Sequence, residues 1–393
     1  MTRETVDALL TGMLQSADEV SDLLFVPGKP PLVEVHGQLH DFPIDTPGSV
    51  LTTTLIEQLA AHVMNGTERL HNDFATTGSC DCSYAIENVA RFRVNVFRQN
   101  GRHSVVMRKL ASEVPTLDSL GLPPVFREIV KERNGMVLVT GGTGTGKTTT
   151  LAAMINELNQ TARVHIVTLE DPIEFYHSDG QAAISQRELG KDFRTFADGL
   201  RAALRQAPKV ILVGEIRDRE TLEIAMTASE TGHVVFSTLH TVNAGQTIHR
   251  ILGMYSPEEE ATVRQRLAEA LRYVVSQRLV SKIDGGRLLV TEIMGSSLRT
   301  RETITYGESE NKTFQEIIEA GDTLGWHSFD QSLRVAFEQN LISEETAISY
   351  ANNKTRMRQT LDTILKSRGA AVASDLSGLK LQRMTVAGRR SNS

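Results

Sequence analysis

Cysteine is scarce in this chain: its 393 residues contain only two, Cys80 and Cys82, in the segment SCDC. Two thiols are too few for a four-ligand zinc site, and their spacing is poor for an ordinary disulfide. Because cytosolic thiols normally stay reduced, we expect both to be free thiols in a reducing cytosol. We therefore expect no zinc in this protein.

A long uncharged apolar run and an excess of positive charge are also missing. No run approaches the roughly 18 apolar residues that a membrane span needs. The opening segment MTRETVDALLTGMLQSADEV carries acids and has no long apolar core, so we expect neither a signal peptide nor an anchor. The formal net charge is -6, whereas nucleic-acid-binding domains are usually strongly basic. We therefore expect a cytoplasmic protein with no nucleic acid among its partners.

Apolar runs and turn residues divide the chain into four parts. Residues 1–110 contain a helical opening and short strand-like runs such as PPLVEVHGQL, which predict a small α/β domain. Residues 111–135 have two proline breaks and one amphipathic helix, as is typical of a linker. Over 136–365, strand-like runs alternate with helical stretches, which predicts a parallel sheet covered by helices. We expect the chain to turn helical after about Gly253, and 366–393 to be disordered.

A glycine-rich segment, GGTGTGKTTT, begins at Gly141 and satisfies the pattern G-x-x-x-x-G-K-[ST]. An apolar strand leads in and a helix leads out, so backbone N–H groups and the helix dipole converge on anionic phosphate. Lys147 would reach the β- and γ-phosphates, and the hydroxyl of Thr148 would reach Mg²⁺. The predicted ligand is a nucleoside triphosphate. The residues of this segment expected to bind it are Gly141, Gly142, Thr143, Gly144, Thr145, Gly146, Lys147, Thr148 and Thr149.

Two carboxylate-rich segments follow strands that we expect to end at the same sheet edge as this loop. VILVGEIRD places Glu215 just after an apolar strand, where it could position or deprotonate the attacking water. The usual aspartate before it is absent, because Gly214 stands in its place. TLEDPIEF supplies Glu170, Asp171 and Glu174, of which Glu174 and Glu170 are our candidates for holding Mg²⁺. The same acids could instead cap a helix or be solvated.

TGHVVFSTLHT contains two histidines, His233 and His240, on either side of a run that is typical of a buried strand. Their odd spacing directs them to opposite sheet faces, roughly 23 Å apart, so we expect no shared metal. His240 follows the carboxyl end of the strand, so we expect it near the γ-phosphate and Glu215. His233 begins the strand and suits a domain or subunit contact. Both could instead be buried histidines with satisfied hydrogen bonds.

The order of these four segments resembles that of the secretion ATPase superfamily, and most closely its type IV pilus retraction ATPases of the PilT/PilU kind. The resemblance extends from SDLLFVPGKPPLVEVHGQL to about Asn353. It implies a PAS-like N-terminal domain, a RecA-like P-loop ATPase domain with a parallel sheet, and C-terminal helices. It also implies ATP and Mg²⁺, and a homohexamer at the cytoplasmic face of the inner membrane, where it acts on a pilus platform protein.

The resemblance also assigns roles to residues. Lys147 and Thr148 correspond to the residues that bind phosphate and Mg²⁺. Glu174 corresponds to a residue that supports Mg²⁺, partly through water, and Glu215 to the catalytic base.

In such rings the N-terminal domain offers arginines to the nucleotide, and Arg91, Arg93 and Arg108 match that segment. His233 and His240 correspond to the family's histidine segment. Guanidinium donors suit the charge that develops on phosphoryl oxygens. Each arginine could instead be a solvated or packing residue.

Two segments depart from the family pattern. Before VILVGE the family usually has acidic residues, as in a D-P-D sequence, whereas this chain has Ala207 and Lys209. After the RecA core, retraction ATPases carry an A-I-R-N-L-I-R-E-like motif, but this chain has SSLRTRETITYGE, in which only Arg301 aligns well. The second departure concerns the coupling of hydrolysis to retraction rather than hydrolysis itself.

The predicted function is a hexameric motor that hydrolyses ATP to ADP and phosphate and powers pilus retraction and twitching motility. One alternative is an accessory retraction subunit, which the altered segment 297–305 favours. Others are a pilus assembly or type II secretion ATPase, which typically has a four-cysteine zinc motif, and a VirB11-like ATPase of type IV secretion. Similarity of the stretch GDTLGWHSFDQSLRVAFEQN to the helical end of retraction ATPases disfavours the last. A paralogous retraction or extension ATPase is a further expected partner.

Overall fold

The computed structural model describes residues 1–111, 113–310 and 312–368. The chain falls into two compact units, one formed by Met1–Leu279 with Thr291–Ser328 and the other by Val280–Val290 with the described residues from Phe329 onward. Among the described residues, no helix combines the length and the apolar character needed to cross a membrane. The predicted domain boundaries stay a prediction.

The amino-terminal part of the first unit is an antiparallel sheet of six strands in the order 3-2-1-6-5-4. Its strands are β1 (Val20–Phe25), β2 (Leu32–Val35), β3 (Gln38–Asp41), β4 (Ser79–Ile86), β5 (Ala90–Gln99) and β6 (Arg102–Lys109). Its helices are α1 (Arg3–Gln15), α2 (Thr53–Val63) and α3 (Glu68–Thr77). In β5, Phe92, Val94 and Val96 are buried and alternate with more exposed residues, the period of two that a strand requires. Their side chains share one core with the three helices, as expected for a small PAS-like domain.

The second sheet carries the site. It has seven strands in the order 13-12-7-11-10-8-9. In this spatial order, each neighbouring pair from 12-7 through to 8-9 is parallel. The strands are β7 (Gly135–Thr140), β8 (His165–Glu170), β9 (Ala183–Glu188), β10 (Val210–Val213), β11 (Val234–Leu239), β12 (Leu271–Ser281) and β13 (Arg287–Gly295). The helices of this region are α4 (Val125–Ile129), α5 (Lys147–Thr161), α6 (Phe196–Ala203), α7 (Arg219–Glu230), α8 (Ala244–Leu252), α9 (Pro257–Ala270), α10 (Leu298–Tyr306) and α11 (Phe314–Glu319). Every residue of β7, β10 and β11 is buried, as expected where helices cover both faces of a parallel sheet.

The prediction that the chain turns helical after Gly253 is wrong for two segments. Strands β12 and β13 follow α9, and the turn between them contains Gly285 and Gly286, both with positive φ. The signal was present in the sequence, because LRYVVSQRLVS and RLLVTEIMG are rich in β-branched residues and flank a double glycine. Strand β9 was also missed, since at the sheet edge it is too polar to form an apolar run.

Up to residue 368, where the described part of the chain ends, the second unit contains three helices: α12 (Phe329–Glu338), α13 (Glu344–Tyr350) and α14 (Lys354–Ser367). They pack around a small apolar cluster that includes Leu333, Phe337 and Leu361. The carboxylate of Asp330 accepts hydrogen bonds from the backbone amides of Asn352 and Asn353, which fixes the entry into α14. Most of the predicted disordered segment, 366–393, lies outside the described residues, and its first two residues end α14.

Candidate active site

The glycine-rich loop lies between β7 and α5, as predicted. Gly141 and Gly146 have φ values of 148° and 86°, in the region that favours glycine. A Cβ on Gly141 would lie 2.6 Å from the hydroxyl of Thr145 and 2.7 Å from the carbonyl oxygen of Gln277. Glycine at 141 therefore lets the loop pack against Thr145 and β12 at the start of α5, a helix end whose backbone amides can bind an anion.

Lys147 lies inside this loop. Its side chain is buried, and its Nζ donates hydrogen bonds to the carbonyl oxygens of Gly141 and Gly142, at 3.0 and 2.9 Å. Burial lowers its pKa, and the nearby carboxylates of Glu215 and Glu174 oppose that shift. One cation thus lies close to two of the carboxylates that the sequence singled out, Glu174 and Glu215.

Glu174 faces the start of α5. Burial raises its pKa, whereas Arg93, a hydrogen bond from the hydroxyl of Thr148, Arg108 and Lys147 lower it. The Thr148 hydroxyl and the Glu174 carboxylate therefore lie together and supply the oxygen donors that Mg²⁺ prefers.

Glu215 follows β10 and is fixed by its backbone neighbours. The amide of Gly214 donates to the carbonyl oxygen of Leu169 at 2.8 Å, and a Cβ at Gly214 would lie 3.1 Å from that oxygen. Gly214, which stands in place of the usual aspartate, thus packs tightly against β8. Thr238 of β11 donates its hydroxyl to the carbonyl oxygen of Gly214 and accepts at its own carbonyl from the amide of Ile216. Glu215 is thus held beside β11.

The two histidines lie in different places. His240 follows β11, and its Nε2 is 3.7 Å from the Glu215 carboxylate, which also forms an ion pair with Arg217. His233 precedes β11, and its Nδ1 is 3.0 Å from the carbonyl oxygen of Ala228, at the end of α7. The structure therefore brings His240 to Glu215, as expected, and leaves His233 at the opposite end of the strand.

Glu170 is the most buried carboxylate of the predicted site, only 7% exposed. Its Oε1 accepts hydrogen bonds from the hydroxyl of Thr168 at 2.7 Å and from Nε2 of Gln186 at 3.1 Å. Gln186 also donates to the carbonyl oxygen of Phe175 and accepts from the amide of His177. Burial raises the pKa of Glu170 to about 7. Its contacts are thus those of a residue that braces the acidic loop.

The three predicted arginines share one face of the N-terminal sheet. Arg91 and Arg93 are two residues apart on β5, and Arg93 lies directly opposite Arg108 on β6. Like charges in this arrangement repel unless acids lie nearby. Arg108 donates to Asp22 at 2.9 Å, and Arg93 lowers the pKa of Asp171, which burial raises.

Comparison with known proteins identifies the family. Residues 78–286 match the family described as Type II/IV secretion system protein. The chain belongs to this family of secretion ATPases. The Type IV pilus retractation ATPase PilT of Pseudomonas aeruginosa is 42% identical over 327 residues, which are 83% of this chain and 93% of that protein. The type IV pilus ATPase PilU of the same organism is 34% identical over 364 residues, 92% of this chain and 93% of that protein.

A solved structure supports the same assignment. The crystal structure of the pilus retraction motor PilT with bound ADP matches with a TM-score of 0.80 at 37% identity, covering 90% of this chain and 98% of that one. The predicted α/β fold of a PilT/PilU-like secretion ATPase is therefore confirmed.

The departures from the secretion ATPase pattern lie away from Glu215 or on a separate helix. Lys209 precedes β10, at the strand end opposite Glu215, and its Nζ donates to the carbonyl oxygen of Gly232. Arg301 lies on α10, where its Nε donates to the hydroxyl of Ser296. The charge change before β10 thus leaves the candidate base unaffected.

Two residues that contact the site of this secretion ATPase were missed, Arg217 and Gln186. Arg217 could have been noticed, because it stands two positions after Glu215 in the sequence. Gln186 gave no signal, since it reaches Glu170 only through the pairing of β9 with β8. Glutamine in a short polar strand has no sequence pattern that predicts such a role.

We expect Glu170→Gln to stabilise the nucleotide-free protein at pH 8 by about 3 kcal/mol. The folded-state pKa of Glu170, about 7, is above the ordinary value of 4.5. Binding of a proton to Glu170 therefore stabilises the folded state. This contribution to the free energy of unfolding is complete below about pH 4.5 and is lost as the pH rises through 7. Glutamine stays neutral, so its advantage should shrink between pH 8 and pH 5. Urea unfolding at both pH values measures it, with the exposed Glu345→Gln as control, and an equal advantage at both would contradict the prediction.

Proposed function

We propose that this secretion ATPase is a homohexameric motor that hydrolyses ATP to ADP and phosphate and powers type IV pilus retraction. The observation that supports this most is the convergence of Lys147, Thr148, Glu174 and Glu215 at one sheet edge. The similarity to PilT over most of both chains supports the choice of pilus retraction.

Each of these residues has a chemical task. The loop amides and Lys147 bind the phosphates of ATP, replacing the carbonyl contacts that Lys147 makes here. Mg²⁺, held by Thr148 and, partly through water, by Glu174, would neutralise phosphate charge. Glu215 orients the attacking water and accepts its proton.

The remaining candidates act on charge that develops during the reaction. His240 lies 3.7 Å from the Glu215 carboxylate and hydrogen-bonds the attacking water or the γ-phosphate. Its hydrogen bonding therefore depends on whether the γ-phosphate is present. Arg93 and Arg108 lie near Glu174 and can offer guanidinium donors to phosphoryl oxygens within the chain or across a subunit boundary.

The proposed partners follow from the motor role. The hexamer would work at the cytoplasmic face of the inner membrane on a pilus platform protein, with a paralogous retraction or extension ATPase as a further partner. A change in the angle between the N-terminal and ATPase parts would transmit the work.

A second candidate function is that of an accessory retraction subunit. The similarity to PilU, which covers 92% of this chain, and the unusual sequence of α10 favour it. An accessory subunit would still hydrolyse ATP but would retract pili only together with a second ATPase.

Two measurements test the proposal together. The purified protein should form hexamers by light scattering and hydrolyse ATP in the presence of Mg²⁺. A strain that lacks the gene should lose twitching motility and regain it on complementation. An active ATPase whose deletion leaves pilus dynamics unchanged would contradict the retraction role, and dependence on a second ATPase would favour the accessory role.

The two histidines should be functionally unequal. We expect His240→Ala to lower ATP turnover by about tenfold or more with the hexamer intact, because it removes a hydrogen-bonding group beside Glu215. His233→Ala should act through assembly or communication between subunits, because His233 lies at the far end of the strand, beside the carbonyl oxygen of Ala228 and away from Glu215. Turnover and light scattering on both variants measure this difference. Equal local defects in ATP binding would refute the unequal roles.

A further inference from the structure

Arg91 contacts the backbone of the loop that carries Glu174. Its Nη1 donates to the carbonyl oxygen of Glu174 at 3.2 Å, and its Nη2 donates to the carbonyl oxygen of Ile173. Its guanidinium carbon lies 3.7 Å from the ring centroid of Tyr176. One arginine of the N-terminal sheet thus makes three contacts within residues 173–176.

The same loop is held from its other side by a buried acid. The amide of Ile173 donates to Oε2 of Glu188 at 3.3 Å. Glu188 is 4% exposed, and its Oε1 accepts from the hydroxyl of Ser83 at 2.9 Å and pairs with Lys191. Ile173 is therefore held at two points. Its N–H donates to the buried Glu188, and its C=O accepts from Arg91.

Ser83 and Arg91 belong to the same sheet face. Ser83 on β4 lies opposite Arg93 on β5, and Arg91 is two residues from Arg93. The N-terminal sheet consequently contacts the loop through Arg91 and contacts the acid that supports the loop through Ser83. Burial of Arg91, which lowers its pKa, agrees with a guanidinium enclosed by this loop.

We propose that Arg91 is a positioning residue for ATP hydrolysis: from the N-terminal sheet it fixes the backbone of the loop that presents Glu174 to Thr148. This inference rests on the proposed function. It assigns the planar fork of Arg91 to two backbone carbonyls, in contrast to the direct phosphate contact that the sequence suggested. A change in angle between the N-terminal sheet and the core then has to move Glu174 or break these bonds.

Hydrogen exchange of the nucleotide-free protein is the first test. In Arg91→Ala, the amides of residues 173–177 should exchange about tenfold faster than in the parent, because the loop loses two charge-assisted hydrogen bonds. The matched control is Arg98→Ala, an exposed arginine further along β5, which should leave these amides unchanged. Unchanged exchange in Arg91→Ala would overturn the proposal.

Binding of fluorescently labelled ADP is the second test. In EDTA, Arg91→Ala should bind ADP within about twofold of the parent, whereas in Mg²⁺ its affinity should fall about tenfold, because a loosened Glu174 holds the ion less well. The Mg²⁺ concentration for half-maximal turnover should rise by a similar factor. A direct phosphate contact would instead weaken binding equally with and without Mg²⁺, and that result would overturn the proposal.

Two further variants test the proposal if Arg91→Ala does not fold. Arg91→Lys keeps the charge but cannot reach both carbonyls, so it should show the same changes at reduced size. Tyr176→Ala removes the ring against which Arg91 lies and should speed exchange in the same segment. Parental behaviour in both would overturn the proposal. Absence of ATP hydrolysis by the unaltered protein would contradict the proposed function. Hydrogen exchange would still decide whether Arg91 holds the loop.

Discussion

Glu215→Gln should leave ATP binding nearly intact and lower turnover by about 10²- to 10⁴-fold, the usual contribution of a general base. Glutamine has the same shape and can still contact Arg217, but it cannot accept a proton from water. The carboxylate of Glu215 lies near Lys147 and 3.7 Å from Nε2 of His240. The variant therefore loses its proton acceptor at the place where the γ-phosphate is expected. Steady-state turnover and titration with a non-hydrolysable ATP analogue measure the two effects separately.

The matched control for this variant is Glu220→Gln. Glu220 is an exposed carboxylate five residues further on, paired with Arg201 rather than with the loop. Its replacement should leave turnover at the parental level. Hydrolysis by Glu215→Gln at the parental rate would remove Glu215 from the role of base.

The parts of this site that could be predicted from sequence are those set by local pattern and parallel strand order. The loop from Gly141 to Thr148 is defined by its own spacing and by the strand and helix on either side. Glu215 and His240 each follow an apolar strand, and adjacent parallel strands end at the same sheet edge, so their proximity could be expected.

What could not be predicted depends on contacts between distant segments. Arg91 meets Ile173 and Glu174 across about 80 residues, and nothing in the strand pattern of β5 distinguishes a phosphate contact from a backbone contact. Glu170 was a candidate for holding Mg²⁺ because acids near a P-loop often do so. Its bonds to Thr168 and Gln186 depend on a side chain from an edge strand that the sequence did not reveal.

Removal of the Lys147 side chain, the cation of the glycine-rich loop, should have a second large effect, on nucleotide binding. We expect Lys147→Ala to weaken binding of a non-hydrolysable ATP analogue by about 10- to 100-fold and to reduce turnover at least as much. Lys147 is buried in the loop, and this burial lowers its pKa, so little hydration opposes its contact with phosphate. Without it, less positive charge would offset the repulsion between the phosphates and the carboxylates of Glu174 and Glu215. Calorimetric titration measures the affinity.

The matched control is Lys131→Ala, which removes an exposed lysine that is paired with Glu128, and it should bind the analogue like the parent. Adding salt should weaken binding by the parent only modestly, because a buried pair is screened much less than a surface pair. Circular dichroism would show that Lys147→Ala is folded, as expected because its Nζ donates hydrogen bonds to the carbonyl oxygens of Gly141 and Gly142 in the glycine-rich loop, which water can satisfy in the variant. Parental affinity in a folded Lys147→Ala protein would mean that the phosphates bind elsewhere, and the site built around Gly141, Glu174 and Glu215 would then lose its ligand.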